Sequence, residues 1–129
     1  MNAIEQNTAG ELLVRFATHI DDANWDGLAD LLADDFRARY STTGEEFDKQ
    51  GFVALNRDYP GRWRFEREDV VDAGDRAVLR ARVSDATGTS DETHFVATFA
   101  TARAGQLTEI VEVWAEVAQV PLDRRPTPS

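Results

Sequence analysis

The second half of the chain is written in a two-residue period, and that period restricts the fold more than any other feature. Arg76 to Ala86 sets Ala77, Leu79, Ala81 and Val83 against Val78, Arg80 and Arg82. Thr93 to Arg103 sets Phe95, Ala97 and Phe99 against His94, Val96 and Thr98. Leu107 to Val117 sets Ile110, Glu112, Trp114 and Glu116 against Val111, Val113, Ala115 and Val117. Successive side chains of a strand point to opposite faces, so each stretch predicts a strand. Trp63 to Ala73 reads as another. Gly74-Asp75, Thr87 to Asp91 and Ala104-Gly105-Gln106 are the turns between them. Consecutive strands of about ten residues on short turns make a curled antiparallel meander.

A sheet with an apolar face needs a cover, and the first half supplies it. Leu12, Leu13, Phe16, Ala17 and Ile20 fall at helical steps, and Thr8 with Glu11 is a capping-box signature for the start of that helix. A second helix is predicted over about Asn24 to Ala33, with Asn24 as N-cap and Trp25, Leu28, Leu31 and Leu32 as its stripe. Asp35 to Ser41 alternates Phe36, Ala38 and Tyr40 against Arg37 and Arg39, which predicts a strand. Glu46 to Tyr59 reads as a third helix, stopped by Pro60-Gly61. Strands after helices give an α+β domain: a bent antiparallel sheet with three N-terminal helices closing one apolar pocket.

With 129 residues the chain has the commonest size of one domain, placed over residues 1–120. Pro121 to Ser129, with three prolines and two arginines, reads as a flexible tail. The chain has no Cys, which removes disulfides and thiolate chemistry and suits a reducing cytoplasm. The N-terminus has no basic start and no apolar run, so no signal peptide is expected. No stretch approaches the roughly 20 apolar residues of a membrane span. The net charge is −10 and Lys49 is the single lysine, a balance that repels a phosphate backbone and argues against nucleic acid.

The order of motifs adds a resemblance. A helix ends in Asp-x-x-Asn-Trp-Asp-Gly-Leu, and Leu-Ala-Asp-Asp-Phe then enters a strand. A short helix follows, and the meander ends in Gly-Gln-Leu-Thr-Glu-Ile-Val-Glu-Val-Trp-Ala-Glu. Over roughly residues 8 to 118 this resembles the SnoaL-like branch of the nuclear transport factor two-like superfamily. The resemblance implies a cone: a strongly bent sheet, helices at its wide end, and an interior that often holds a ligand. It includes ketosteroid isomerases, polyketide cyclases, scytalone dehydratase, limonene-epoxide hydrolase and non-catalytic modules, so the fold alone does not give the function. Laid on the ketosteroid isomerases, the oxyanion-hole tyrosine falls at Phe16, the general-base aspartate at Tyr40 and the second oxyanion-hole acid near Ala97. None of these groups survives, so that mechanism is not expected here. A pocket tryptophan of the isomerases matches Trp114.

Glu112 is the candidate catalytic residue. If Trp114 faces the pocket, as the resemblance implies, Glu112 does too, and a carboxyl against indole in an apolar cone has its proton affinity raised. SnoaL-type cyclases resemble this, with an acid on a late strand. The opposing reading turns the valine face inward and leaves Glu112 solvated. Tyr40 and His19 are the other catalytic candidates, the first as a donor to a ligand carbonyl, the second from the helix side; a boundary histidine with a backbone partner is the plainer reading of His19. Phe16, Ile20, Tyr59, Trp63, Phe95, Ala97, Phe99, Ile110 and Trp114 are expected to line the pocket. His94, out of phase with the phenylalanines, is expected on the outer face, and Arg39, Arg80 and Arg82 are read as covering that face. Two separated histidines make no metal site, and no cofactor is expected.

Three functions follow. The first is cofactor-free acid/base chemistry on an apolar carbonyl compound, the second a non-catalytic holder of a small apolar or aromatic ligand. The third is an assembly module with a packed cone. A homodimer through the outer sheet face, carrying Val78, Arg80, His94, Val96, Val111 and Val113, is expected in any case.

Overall fold

The structure is a computed structural model and describes residues 6–116. The expected tail lies outside the described residues. The elements run α1 (Ala9–Asp21), α2 (Trp25–Asp30), β1 (Leu32–Tyr40), β2 (Glu46–Asp48), α3 (Lys49–Asp58), β3 (Trp63–Asp72), β4 (Arg76–Asp85), β5 (Thr93–Arg103) and β6 (Gln106–Glu116).

Local signals set most of these boundaries. The capping box of α1 forms: the Thr8 side chain accepts from the Glu11 N–H, and the Glu11 side chain accepts from the Thr8 N–H. Asn24 caps α2 by accepting from the Gly27 N–H. Ala104 and Gly105 both have positive φ, 53° and 76°, the backbone of a two-residue hairpin turn between β5 and β6. Two boundaries differ from the sequence reading. The third helix starts at Lys49, not Glu46, because Asp48 is its N-cap and accepts from the Gly51 N–H at 2.8 Å. Glu46–Asp48 is instead a three-residue edge strand paired with Arg37–Arg39. The second helix ends at Asp30, and Leu32 already pairs with Leu107.

The sheet order is β2-β1-β6-β5-β4-β3. β3 to β6 form the expected antiparallel meander. The expectation of an antiparallel sheet throughout needs one correction, because β1 joins β6 in parallel. Direction is a property of the long excursion that separates the two strands, so no local pattern encodes it. Register shifts at Arg67/Asp69 and Thr101/Ala102 are the kind of irregularity that bends a sheet.

The helices pack into the concave face. Phe16, Phe36 and Phe52 are fully buried there, with ring centroids 6.0 Å apart for Phe16–Phe52 and 5.6 Å for Phe36–Phe52. Each such ring contributes roughly 1.5–3 kcal/mol by burial. Carboxylates fix α1 at both ends. Asp72 accepts from the Thr8 hydroxyl at 2.6 Å and the Gly10 N–H at 3.1 Å, and a Cβ on Gly10 would overlap the Asp72 carboxyl. Asp21 accepts from the Phe65 N–H at 2.8 Å.

Candidate functional site

The β5–β6 register decides what the concave face carries. Thr98 is opposite Glu112, Val96 opposite Trp114, and Ala100 opposite Ile110. Ile110, Glu112 and Trp114 therefore face the helices, with Ile110 fully buried and Glu112 only 2% exposed. Parallel pairing brings Tyr40 of β1 alongside Glu112 from the other side.

The Glu112 carboxyl has polar neighbours but no cation. The Thr98 hydroxyl donates to its Oε2 at 2.6 Å, and the Trp114 indole N–H reaches its Oε1 at 3.4 Å. Among the described residues no ion pair includes it. Burial disfavours the ionised form and pushes its pKa up to about 7, against a smaller downward pull from the Thr98, Trp114 and Tyr40 hydrogen bonds. The Tyr40 phenol is pushed further up than usual, first by its own burial and then by the charge of, and hydrogen bond to, Glu112. Tyr40 thus stays a donor at any physiological pH, and Glu112 can either hold or release a proton near neutrality.

Tyr40 and Trp114, which flank this carboxyl, belong to an unbroken series of rings. Centroid distances are 5.3 Å for Phe47–Tyr40, 6.4 Å for Tyr40–Trp114 and 6.4 Å for Trp114–His94. The series continues at 6.0 Å for His94–Trp63 and 6.3 Å for Trp63–Tyr59. The two ends, Phe47 and Tyr59, also line a shallow cavity of about 490 Å³ along α3, with Ala54, Leu55 and Pro60. Tyr59-Pro60-Gly61 is shaped by Gly61 at φ 93° and by the Trp63 indole N–H, which donates to the Pro60 carbonyl at 2.9 Å.

Several expected residues lie elsewhere. Phe95, Ala97 and Phe99, expected in the pocket, are on the convex face, opposite Ala115, Val113 and Val111. Conversely His94 and Val96, expected outside, face inward: Val96 is fully buried and the His94 ring meets Trp63 and Trp114. The phenylalanines outweigh their neighbours in hydropathy, but pairing with β6 sets the side on which they fall. Thr98, not Ala97, is therefore the β5 residue that meets the acid, and hydropathy alone does not single it out. Phe16 and Ile110 are packed in the core and do not line an opening. Ile20 is half-buried against that core. His19 is 3.2 Å from the Asn24 amide and packs over Gly27. None of these contacts reaches Glu112. Arg39, Arg80 and Arg82 are exposed on the convex face, as read. Among the described residues no three His, Asp or Glu side chains gather as a metal site would require, and no helix is long and apolar enough to cross a membrane.

A bent sheet wrapped on three helices, with a carboxyl buried on its concave face, defines the class of cone-shaped α+β domains. The SnoaL-like domain model matches residues 13–110, and the chain belongs to that family. No curated protein matches the sequence. Among solved structures, a Kribbella flavida protein described as a candidate ketosteroid isomerase is 21% identical, with a TM-score of 0.80 over 93% of this chain and 90% of that one. An LEH-like epoxide hydrolase of M. tuberculosis is 15% identical, with a TM-score of 0.69 over 83% and 82%. IdmH of Streptomyces antibioticus, described as a candidate polyketide cyclase, is 15% identical, with a TM-score of 0.66 over 80% and 88%. At these identities the likeness is one of fold.

Proposed function

We propose that the protein binds a small apolar or aromatic carbonyl compound at the ring-lined mouth and moves a proton on it without a cofactor, in the cytoplasm. Glu112 is the acid/base and Tyr40 the donor to the carbonyl oxygen. One observation carries this reading: a carboxyl removed from water, with the Thr98 hydroxyl and the Trp114 indole N–H as its donors and no cation beside it, raised by burial to about 7. A structural carboxyl in a core is normally paired, whereas a general acid or base works best with a pKa near the ambient pH. Trp114 shields the carboxyl, and Trp63 and Tyr59 offer ring faces to an entering ligand. The relatives described as isomerase and cyclase support this choice of chemistry by analogy.

The test is deuterium uptake at the carbon next to the carbonyl of 1-tetralone, followed by NMR in D₂O. The protein is expected to accelerate uptake, and Glu112→Gln to lose about 10²–10⁴-fold of that acceleration, the usual contribution of a positioned acid/base. Equal acceleration by the variant would rule Glu112 out. No acceleration by either would leave the mouth as a non-catalytic binding site.

A second reading concerns assembly and rests on the convex face. Val71, Val78, Phe99 and Val111 are cross-strand neighbours in one row, with Val113 beside them. Val71 is 61% exposed, and Phe99 and Val113 are each 42% exposed. A contiguous apolar row of this kind on a sheet calls for a cover, and we propose a second copy of the chain. Sedimentation at micromolar concentration is expected to give twice the 14.4 kDa chain mass; a monomer would contradict the proposal.

A further inference from the structure

His94 faces the same side of the sheet as Glu112 but takes no part in the Glu112 chemistry. It lies on the concave face between Trp63 and Trp114, with centroids 6.0 and 6.4 Å away. Its Nε2 is 2.9 Å from the Glu92 carboxylate; the carboxylate accepts from the Nε2–H, and in that tautomer Nδ1 is the acceptor nitrogen. Among the described residues Nδ1 has no partner, and no buried side-chain nitrogen or oxygen lacks one. Nδ1 is therefore reachable from solvent. The ladder places His94 opposite Glu116 and Thr98 opposite Glu112. Four residues along β5 separate the two levels, about 13 Å of strand, with Trp114 between them. Two or three fused rings are long enough to bridge an interval of that length.

The geometry points to His94, oriented by Glu92, as a second polar anchor of the aromatic mouth, accepting a hydrogen bond from a hydroxyl at the end of the ligand remote from its carbonyl. This rests on the proposed binding mode, with the carbonyl end at Tyr40 and Glu112. It sets a selectivity at the far end of the ligand: a donor there is selected, and a purely apolar end is not. Glu92 is a positioning residue, since it touches His94 and not the ligand.

The test compares two probes, 1-tetralone and 6-hydroxy-1-tetralone, by NMR titration of the Trp63 and Trp114 indole N–H signals. The wild type is expected to bind the hydroxylated probe about three- to ten-fold more tightly, the range of one net hydrogen bond. His94→Phe keeps a ring against both tryptophans and should erase that preference while still binding 1-tetralone. Glu92→Ala should weaken the preference, and Glu92→Gln, which still accepts from Nε2–H, should restore it. An unchanged preference in His94→Phe, no preference in the wild type, or no binding of either probe at millimolar concentration would each overturn the assignment. An unchanged preference in Glu92→Ala would overturn the part given to Glu92. A His94-dependent preference without proton exchange would count against the proposed chemistry alone.

Discussion

Strands β5 and β6 have two faces of opposite fate. The convex one carries Phe95, Ala97, Phe99, Val111, Val113 and Ala115; the concave one carries His94, Val96, Thr98, Ile110, Glu112 and Trp114. By composition the convex face is the more apolar, and yet the helices cover the other. The carboxyl, the hydroxyl and the imidazole all lie on the covered side. A folding core alone would not choose that arrangement, because burying Glu112 costs free energy that a leucine would not. The concave face thus holds a polar group out of water, while the convex face leaves Val71, Phe99 and Val113 exposed, the row that the proposed second copy would cover.

The sharpest way to break the comparison is to remove apolar volume from each side. Phe16→Ala, at the centre of the concave core, should cost about 3–5 kcal/mol in urea unfolding, because it leaves a cavity beside Phe52 and Phe65. An effect below about 1 kcal/mol would mean that the interior is looser than its ring contacts imply. Thr98→Val tests the polar part of the same face. It keeps the shape but removes the 2.6 Å donor to Glu112, so the carboxyl should titrate still higher, by about one unit for a hydrogen bond to a charged group. Carboxyl-carbon NMR reads this directly, and a downward shift would contradict it. Phe99→Ser, on the convex face, should be the mildest to the fold, at about 0.5 kcal/mol in the monomer. In sedimentation it should nonetheless weaken self-association. A large loss of monomer stability would mean that the convex face belongs to the chain's own core.

Legibility in the sequence divides along similar lines. Turn chemistry and capping residues act over three or four positions, so Thr8/Glu11, Asn24 and the Ala104-Gly105 turn are legible from neighbouring residues alone. Period-two alternation locates the meander for the same reason. Ile110, Glu112 and Trp114 share a parity, so once a resemblance places Trp114 inside, Glu112 follows. The parity of β5 is misleading because hydropathy favours Phe95 and Phe99 over His94 and Thr98, and an exposed apolar face has the same period as a core face. The edge strand at Glu46–Asp48 is three residues long, too short for any period to register. The parallel β1–β6 pair, which brings Tyr40 to Glu112, depends on contacts some seventy residues apart.

The proposed site depends most on the state of Glu112. With a folded pKa of about 7 against the ordinary 4.5, the unfolded chain releases this proton at lower pH than the folded one. Stability should therefore fall as pH rises from about 4.5 to about 7 and level off above that, a loss of about 3 kcal/mol at 1.36 kcal/mol per unit. Glu112→Gln has no such proton to release. The measurement is urea unfolding of both proteins at pH 5 and pH 8. The variant is expected to gain on the wild type by up to about 3 kcal/mol between the two pH values. An equal pH dependence in the two proteins would show that the carboxyl titrates normally, and the proposed acid/base site would lose its foundation.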